Sequence, residues 1–282
     1  MPKSRYPASF FSHAFMGQVG YYMQMLGIKA GLRKNYNQGT NVSYFTDYLE
    51  AVNDCCEYLG INLTQFVSYI NAHQSLIEDA WKRHLEDPST FYSADHGEAG
   101  RANICMNCVA SFSVTYNYNV LSLLLVELGN KATVCDFGCT NADISMAMLL
   151  RDKISRLTMS DFNNSSAEFI KYRIGKYKLQ ERAAWKNLDE IYDEEQYDVI
   201  LCMDVLEHCV DPSHILEHKI FPMLKRGGYL LMQAPWGGDN IGHLEEAVVD
   251  FYRYGGRRFL SSRFNKIYAM TTLDISGIWI KK

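Results

Sequence analysis

The hydrophobic pattern of the chain changes near residue 130, from a helical period to an alternation of strands and helices. From Ser43 to Gly129 the apolar residues recur every three or four positions, which is the spacing of amphipathic helices. Gly60 stands where a first helix would turn left-handed and end, and Asn62 to Gln65 has the spacing of a capping box that would begin a second. The two stripes that predict these helices are Phe45, Tyr48, Leu49, Val52, Cys56, Leu59 and Phe66, Ile70, His73, Ile77, Trp81.

The second helix is predicted to end before Pro88. The stretch 89–104 is rich in Ser, Asp, Gly, Ala and Glu and has no sustained period, so it predicts a loop. A third helical run is predicted over 114–128, with Gly129 as its end.

From Lys131 onward, short strand-like runs alternate with amphipathic stretches. This alternation predicts an α/β fold with a mostly parallel sheet covered by helices on both faces. The chain is therefore predicted to consist of a helical N-terminal domain, 1–129, and an α/β domain, 130–282. The predicted strands are Thr133–Asp136, Arg156–Asp161, Trp185–Leu188, Tyr197–Met203, Gly228–Gln233, Lys266–Thr271 and Gly277–Lys281.

The first strand runs into a tight turn and then a helix. Gly138 would allow the turn, and Asn141 would cap the helix. In an open α/β sheet, ligands bind outside the carboxyl ends of the strands, so this turn is the predicted address of a cofactor.

Three acids end predicted strands: Asp136, Asp161 and Asp204. An acid at the end of the second strand can accept two hydrogen bonds from the vicinal hydroxyls of a ribose, which is a specific use for Asp161. The alternative is that Asp161 only helps to cap the helix that follows it.

Composition and charge limit the classes of molecule that the protein is expected to bind. The chain is 48% hydrophobic and 21% charged, with a net charge of −4, so it lacks the basic excess of a general nucleic-acid or acidic-membrane binder. A small-molecule or protein substrate is favoured. No apolar run approaches the roughly 20 residues that span a bilayer, and the segment 10–28 is too polar for a secretory signal, which predicts a cytoplasmic protein.

Eight cysteines in such a compartment are expected to be thiols. Cys105 and Cys108 have C-x-x-C spacing, but no second pair of zinc ligands is obvious, so buried unreactive thiols are favoured over a metal site.

Four motifs carry a resemblance to a known family. They are Asp136-Phe-Gly-Cys, Ser160-Asp161, the run Tyr197-Asp-Val-Ile-Leu-Cys-Met-Asp-Val-Leu-Glu-His-Cys-Val-Asp-Pro, and Leu224-Lys-Arg-Gly-Gly-Tyr-Leu. In order and spacing they resemble the class I S-adenosylmethionine-dependent methyltransferases, over about 130–282. The third motif is the most specific of the four. The resemblance implies a Rossmann-like, mostly parallel seven-stranded sheet, with S-adenosylmethionine as cofactor and S-adenosylhomocysteine as its product.

The resemblance also implies roles for single residues. Asp136 and Gly138 would line the methionine and ribose part of the cofactor, and Met203 and Asp204 would border the methionine and the transferred methyl. Asp161 would hold the ribose hydroxyls. The adenine contacts would be Phe162, Asn187 and Leu188.

Thr140 and Ala142 stand where the family commonly has glycines. Both are small, and Ala142 would still permit close packing of the helix. A positive φ is costly for a β-branched residue, so Thr140 is expected to avoid one. The cofactor would then be bound in a slightly altered pose, or weakly.

Two histidines are candidates for catalysis, because imidazole titrates near neutrality and can accept a proton from the nucleophile. His208 follows the fourth strand and His243 follows the fifth. Local packing is the alternative for His208, and an idle surface loop for His243.

A metal-assisted variant stays open. Asp204, Glu207 and His208 resemble the Glu-x-x-Glu-His pattern with which some O-methyltransferases bind a divalent cation, and on an α-helix these positions would share one face. His243 could be a fourth ligand. Because metal-free relatives carry the same tripeptide, no metal is the favoured expectation.

The favoured function is methyl transfer to an O or N atom of a small molecule, with the N-terminal helices as a lid or homodimer surface. A noncatalytic binding or scaffold subunit is the alternative from another class. Candidate pocket walls are the aromatic residues Phe112, Tyr116, Tyr118, Trp236, Phe251, Tyr252 and Tyr254.

Overall fold

A computed structural model describes residues 44–86, 90–113, 121, 124, 125, 127–192, 194–234, 242–269 and 276–282. Three helices come first: α1 (Tyr44–Leu59), α2 (Leu63–Lys82) and α3 (Glu98–Ser113). Gly60 is left-handed at φ 64, and Asn62 and Gln65 form the predicted capping box. Within the described parts of the chain, no helix is both long and apolar enough to cross a membrane.

The loop predicted over 89–104 is wrong at its C-terminal end, because α3 begins at Glu98. Small residues are common in loops, which is why composition predicted one here. In this helix they instead allow close packing. A side chain at Gly100 would place its Cβ 2.5 Å from the Ser165 hydroxyl. The predicted helix over 114–128 lies mostly outside the described residues.

The remaining elements alternate as predicted. Their bounds are β1 (Ala132–Phe137), α4 (Asp143–Leu150), β2 (Ile154–Asp161), α5 (Ser165–Lys176), β3 (Ala183–Asn187), β4 (Tyr197–Met203), α6 (Pro212–Ile215), α7 (Phe221–Met223), β5 (Leu224–Gln233), α8 (Glu245–Val249), α9 (Gly256–Arg263), β6 (Phe264–Ala269) and β7 (Gly277–Lys281). A 3₁₀ turn, Leu206–His208, follows β4, and π-helical segments, Leu216–Ile220 and Asp250–Tyr254, lie between α6 and α7 and between α8 and α9.

The seven strands form one sheet in the order β3-β2-β1-β4-β5-β7-β6. The first five are parallel, and β7 runs antiparallel to both β5 and β6. Strand order reverses between β1 and β4, and ligands bind at such a switch point in open α/β sheets. The Rossmann-like, mostly parallel seven-stranded sheet is confirmed.

Strands β1, β4, β5 and β7 contribute residues to two cores, one on each face of the sheet, because side chains point alternately to the two faces. Val134, Leu157 and Val199 pack on one face with α1, α3, α4 and α5. Cys135, Ile200 and the helices after β4 and β5 form the core of the other face. All eight cysteines are free thiols, and Cys105 and Cys108 are fully buried.

Candidate active site at the switch point

The turn after β1 has an unusual backbone. Gly138, Thr140 and Ala142 have φ values of 70, 46 and 54, so two residues with side chains are left-handed. The expectation that Thr140 avoids a positive φ is wrong. Gly138 leaves no room for a side chain, because its Cβ would lie 2.4 Å from a methyl carbon of Val205.

Asn141, at the centre of this turn, anchors it to the helical layer instead of capping α4. Its amide nitrogen donates to the carbonyl of Ile104 at 2.8 Å, and its amide oxygen accepts from the hydroxyl of Ser166 at 3.3 Å. The capping prediction is wrong because residue 142 occupies the cap position without a side-chain bond, while the Asn141 side chain is fully buried.

A buried arginine holds the other side of the turn. Arg173 on α5 is 2% exposed and contacts Asp54 on α1 at 3.0 Å and Asp143 at 2.8 Å. The same guanidinium donates to the carbonyl of Asn141 at 3.3 Å. Because the arginine joins α1 to the turn, the helical layer supports this turn directly.

Asp161 lies beside this turn at the end of β2. One of its carboxylate oxygens accepts from the backbone N–H of Thr140 at 2.6 Å, and the other from Phe162 at 2.7 Å. Burial raises the pKa of Asp161 to about 6, although these bonds favour the charged form. Asn164 caps α5, so helix capping does not account for Asp161.

Asp136 and Asp204 end β1 and β4 on either side of the switch point. Asp136 accepts from the hydroxyl of Ser145 at 2.5 Å, and burial raises its pKa to about 7. Asp204 is left-handed at φ 56 and remains accessible to solvent. The protein atoms around its carboxyl partly desolvate it, which raises its pKa to about 6.

Two neighbouring cavities open above these strand ends, of about 350 and 370 Å³. They meet at Asn107, Thr140 and His208, which line both. The smaller, which we call the acid cavity, is lined by Asp136, Gly138, Asp143, Met203 and Asp204 among others. The larger, which we call the amide cavity, is lined by His73, Gln74, Tyr92, His96, Asn103, Asp161 and Asn164 among others.

The predicted cofactor contacts divide between these spaces. Four of them line the acid cavity and Asp161 lines the amide cavity. Phe162, Asn187 and Leu188 line neither, but they adjoin Asp161: the backbone N–H of Leu188 donates to its carbonyl at 2.9 Å, and Asn187 is its partner on β3.

His208 is held by residues from two distant segments. Its Nδ1 lies 2.8 Å from the carbonyl oxygen of Gly242 and 2.7 Å from the hydroxyl of Tyr92. A carbonyl only accepts, so Nδ1 carries the hydrogen and the lone pair is on Nε2. Burial lowers the pKa of His208 to about 4, which keeps the ring neutral. No pattern in the sequence pointed to Tyr92.

Glu207, His208 and His243 converge, and each offers a ligand atom within 4.8 Å of the other two. Glu207 is 1% exposed, neither of its carboxylate oxygens has a hydrogen-bond partner, and burial raises its pKa to about 8. Asp204 is not part of this group. The predicted shared helical face is wrong, because the segment is a 3₁₀ turn that begins only at Leu206.

Several predicted pocket walls lie elsewhere. Phe251 is buried in the core, and Tyr252 and Tyr254 are exposed, so none of the three lines either cavity. The side chains of Phe112, Tyr116, Tyr118 and Trp236 lie outside the described residues.

Comparison with known proteins places the central part of the chain in a known class of domain. The model of a family described as "Methyltransferase domain" matches residues 135–230, from β1 into β5. No curated protein matches the sequence.

Three solved structures show weaker likenesses. A protein from Galdieria sulphuraria described as a sarcosine dimethylglycine methyltransferase is 15% identical over 43% of this chain and 47% of its own, with a TM-score of 0.38. The [4+2]-cyclase SpnF is 19% identical over 53% and 57%, with a TM-score of 0.39. The B. subtilis tRNA methyltransferase TrmK is 14% identical over 58% and 62%, with a TM-score of 0.41. The chain thus spans only about half of the length of these proteins.

Proposed function

We propose that the chain is a class I S-adenosylmethionine-dependent methyltransferase that methylates an oxygen or nitrogen atom of a small molecule. The observation that carries the proposal is the meeting of two cavities at Thr140 and His208, directly above the switch point. One cavity would hold the methionine half of the cofactor, and its neighbour would extend past Asp161 toward the acceptor.

The lining fits this cofactor in charge. Asp136, Asp143 and Asp204 line the acid cavity, Asp161 lines the amide cavity, and no lysine or arginine occurs among the described residues that line either. Burial raises the pKa values of Asp136, Asp161 and Asp204, and no cation offsets this rise, whereas Asp143 is paired with Arg173. S-adenosylmethionine carries a sulfonium and an ammonium, and when bound it supplies an electrophilic methyl group.

Asp161 would bind the ribose hydroxyls. Each of its oxygens already accepts one backbone N–H and keeps a further lone pair, so the side chain is oriented before the ligand arrives. Phe162, Asn187 and Leu188 remain proposed adenine contacts, since they adjoin Asp161 without lining a cavity.

The acceptor would be uncharged or cationic. The helical layer contributes His73, Gln74 and Asn103 to the amide cavity, which are uncharged hydrogen-bonding groups, and burial lowers the pKa of His73. An anionic acceptor would meet carboxylates and no cation, at a large electrostatic cost. Alcohols, phenols and amines are therefore the proposed class.

His208 is the proposed proton acceptor. The Nε2 lone pair of His208 would accept the proton that the acceptor releases as its bond to the methyl carbon forms and the sulfur–methyl bond breaks. The lowered pKa makes this imidazole a weak base, but a protonated ether is a far stronger acid than an imidazolium, so the transfer is still downhill for a hydroxyl acceptor. His243, whose ring centroid is 4.9 Å from that of His208, is the second candidate.

A metal-assisted O-methyltransferase is the second proposed function, and the convergence of Glu207, His208 and His243 favours it. A buried carboxylate without a partner suits a divalent cation, and a neutral imidazole is the form of histidine that binds one. Such a cation would lower the pKa of a hydroxyl acceptor and make it a better nucleophile.

Calorimetric titration with S-adenosylmethionine and S-adenosylhomocysteine tests the cofactor assignment. The Asp161→Ala variant should weaken binding at least about 100-fold, because two charge-assisted hydrogen bonds are lost. Asp189→Ala removes an exposed acid of the same type near the end of β3 and should bind as the wild type does. Unchanged affinity in Asp161→Ala would refute the ribose assignment.

Activity on a panel of alcohols, phenols and amines, followed by mass spectrometry, tests the acceptor class. Metal analysis of the purified protein, with activity measured after chelation and after Mg²⁺ or Mn²⁺ is restored, separates the two functions. Full activity in the chelated protein would refute the metal-assisted one.

A further inference from the structure

Positive charge is strongly segregated on the segment 251–269, beyond the methyl-transfer site. It contains five basic residues and no acidic one, while the rest of the chain has 23 basic and 32 acidic side chains. Arg253, Arg257, Arg258, Arg263 and Lys266 are all exposed. The overall negative charge of the protein therefore hides a local basic surface.

Two exposed tyrosines lie among these arginines. Tyr254 is 77% exposed and Tyr252 is 40% exposed, although tyrosine usually buries most of its ring. The Arg257 guanidinium lies 5.8 Å from the centroid of the Tyr252 ring. We call Tyr252, Arg253, Tyr254, Arg257 and Arg258 the Arg-Tyr surface.

The rest of this segment is a rigid support. Phe251 and Leu260 are fully buried, and Lys282 donates to the carbonyls of Ser261 and Ser262 at 2.9 Å, at the end of α9. Arg253 and Arg258 form no ion pair with a carboxylate among the described residues. Two guanidinium groups are thus available on an ordered helical frame.

The Arg-Tyr surface is close to the active site. The backbone N–H of Leu244 donates to the carbonyl of Glu207 at 3.0 Å, and the chain then continues through α8 and a π-helical segment to Tyr254. At the helical rise of 1.5 Å per residue, Tyr254 lies about 14 Å along this path from Glu245, two residues after His243.

We infer that the Arg-Tyr surface binds single-stranded nucleic acid, a function beyond the proposed methyl transfer. Guanidinium groups bind phosphates in a planar, two-bond geometry, and exposed tyrosine rings offer a stacking face to unpaired bases. An acidic protein segment would use the arginines and leave the exposed ring of Tyr254 without a role. An acidic membrane would need a larger apolar face than two tyrosines provide.

Fluorescence anisotropy of a labelled 20-nucleotide single-stranded RNA, titrated with the full chain over a range of KCl, tests the inference. The variant Arg253→Ala/Arg258→Ala should lower the slope of log K against log salt by about 1.4, since each phosphate contact on a single strand contributes about 0.7. Tyr254→Ala should weaken binding about 5- to 150-fold with an unchanged slope, because stacking releases no counterions.

The control is Arg83→Ala/Arg226→Ala, which removes two exposed arginines from the end of α2 and from β5. This variant should keep the wild-type slope. An equal loss in the control and the Arg-Tyr variant would refute a localised site. Absence of RNA binding by the wild type, or binding only to acidic phospholipid vesicles, would overturn the inference.

Dextran sulfate distinguishes nucleic acid from a general polyanion. A general polyanion site would let dextran sulfate compete as well as unlabelled RNA at equal charge, and Tyr254→Ala would leave the RNA affinity unchanged. That pair of results would refute the stacking role and the proposed ligand. S-adenosylmethionine titration of the same variants should be unchanged, so failure of this inference and failure of the proposed function give different results.

Discussion

Thr140 occupies a backbone conformation that a glycine would adopt with less strain, so Thr140→Gly is expected to stabilise the protein. A left-handed φ costs a residue with a side chain about 1–2 kcal/mol, and Thr140 has φ 46. Glycine offsets about 0.4–1 kcal/mol of this gain, because it increases the conformational entropy of the unfolded chain. The side chain is exposed and its backbone bond to Asp161 survives the change, so little else is lost.

The net gain is about 0.5–1 kcal/mol in the free energy of unfolding, or a rise of roughly 1–4 °C in Tm. Urea unfolding followed by circular dichroism, with thermal scans, measures both. Thr140→Ala should gain less, because a methyl group still faces the left-handed penalty. A lower urea midpoint for Thr140→Gly than for the wild type would refute the strain argument, and would mean that the threonine side chain stabilises the turn.

Three further substitutions have expected outcomes. Gly138→Ala should lower the free energy of unfolding by about 1–3 kcal/mol in urea titration, because the added methyl group would overlap Val205 and the residue has a left-handed φ of 70. An unchanged urea midpoint would contradict this packing argument. Arg173→Met leaves the buried Asp143 without its cation and Asp54 with Lys176 alone, and should cost about 3–5 kcal/mol by the same assay. A loss below about 1 kcal/mol would show that the network is solvated. Burial raises the pKa of Asp136 to about 7 in the folded protein, whereas in the unfolded chain this carboxyl loses its proton above about pH 4. Between these pH values the folded protein holds more protons than the unfolded chain, so its stability falls as pH rises toward 7. Asp136→Asn should therefore flatten the decline between pH 4 and 7, by at most about 1.4 kcal/mol per pH unit, and an identical profile for both proteins would refute the raised pKa.

The sheet could be predicted from the sequence because its signal is local. Each strand is a short β-branched or apolar run between turn residues, and every predicted strand appears within a few residues of its expected bounds. The acids at strand ends followed from the same rule, since the carboxyl ends of parallel strands meet at one edge.

The missed features depend on contacts between distant parts of the chain. Tyr92 meets His208 across 116 residues, and the side chain of Asn141 is drawn from its expected cap by a carbonyl 37 residues earlier. The π-helical and 3₁₀ segments likewise have no local period that distinguishes them from an α-helix. Periodicity alone therefore could not place Glu207, His208 and His243 together without Asp204.

The anchoring of Asn141 limits how this protein can be recombined with its relatives. The turn after β1 is fastened to α3 through the Ile104 carbonyl and to α1 through Arg173 and Asp54. A chimera that carries the helices of another methyltransferase on this sheet would lose the bonds that fasten its turn. Exchange of acceptor preference by domain grafting would therefore need to transplant these turn partners together with the helices.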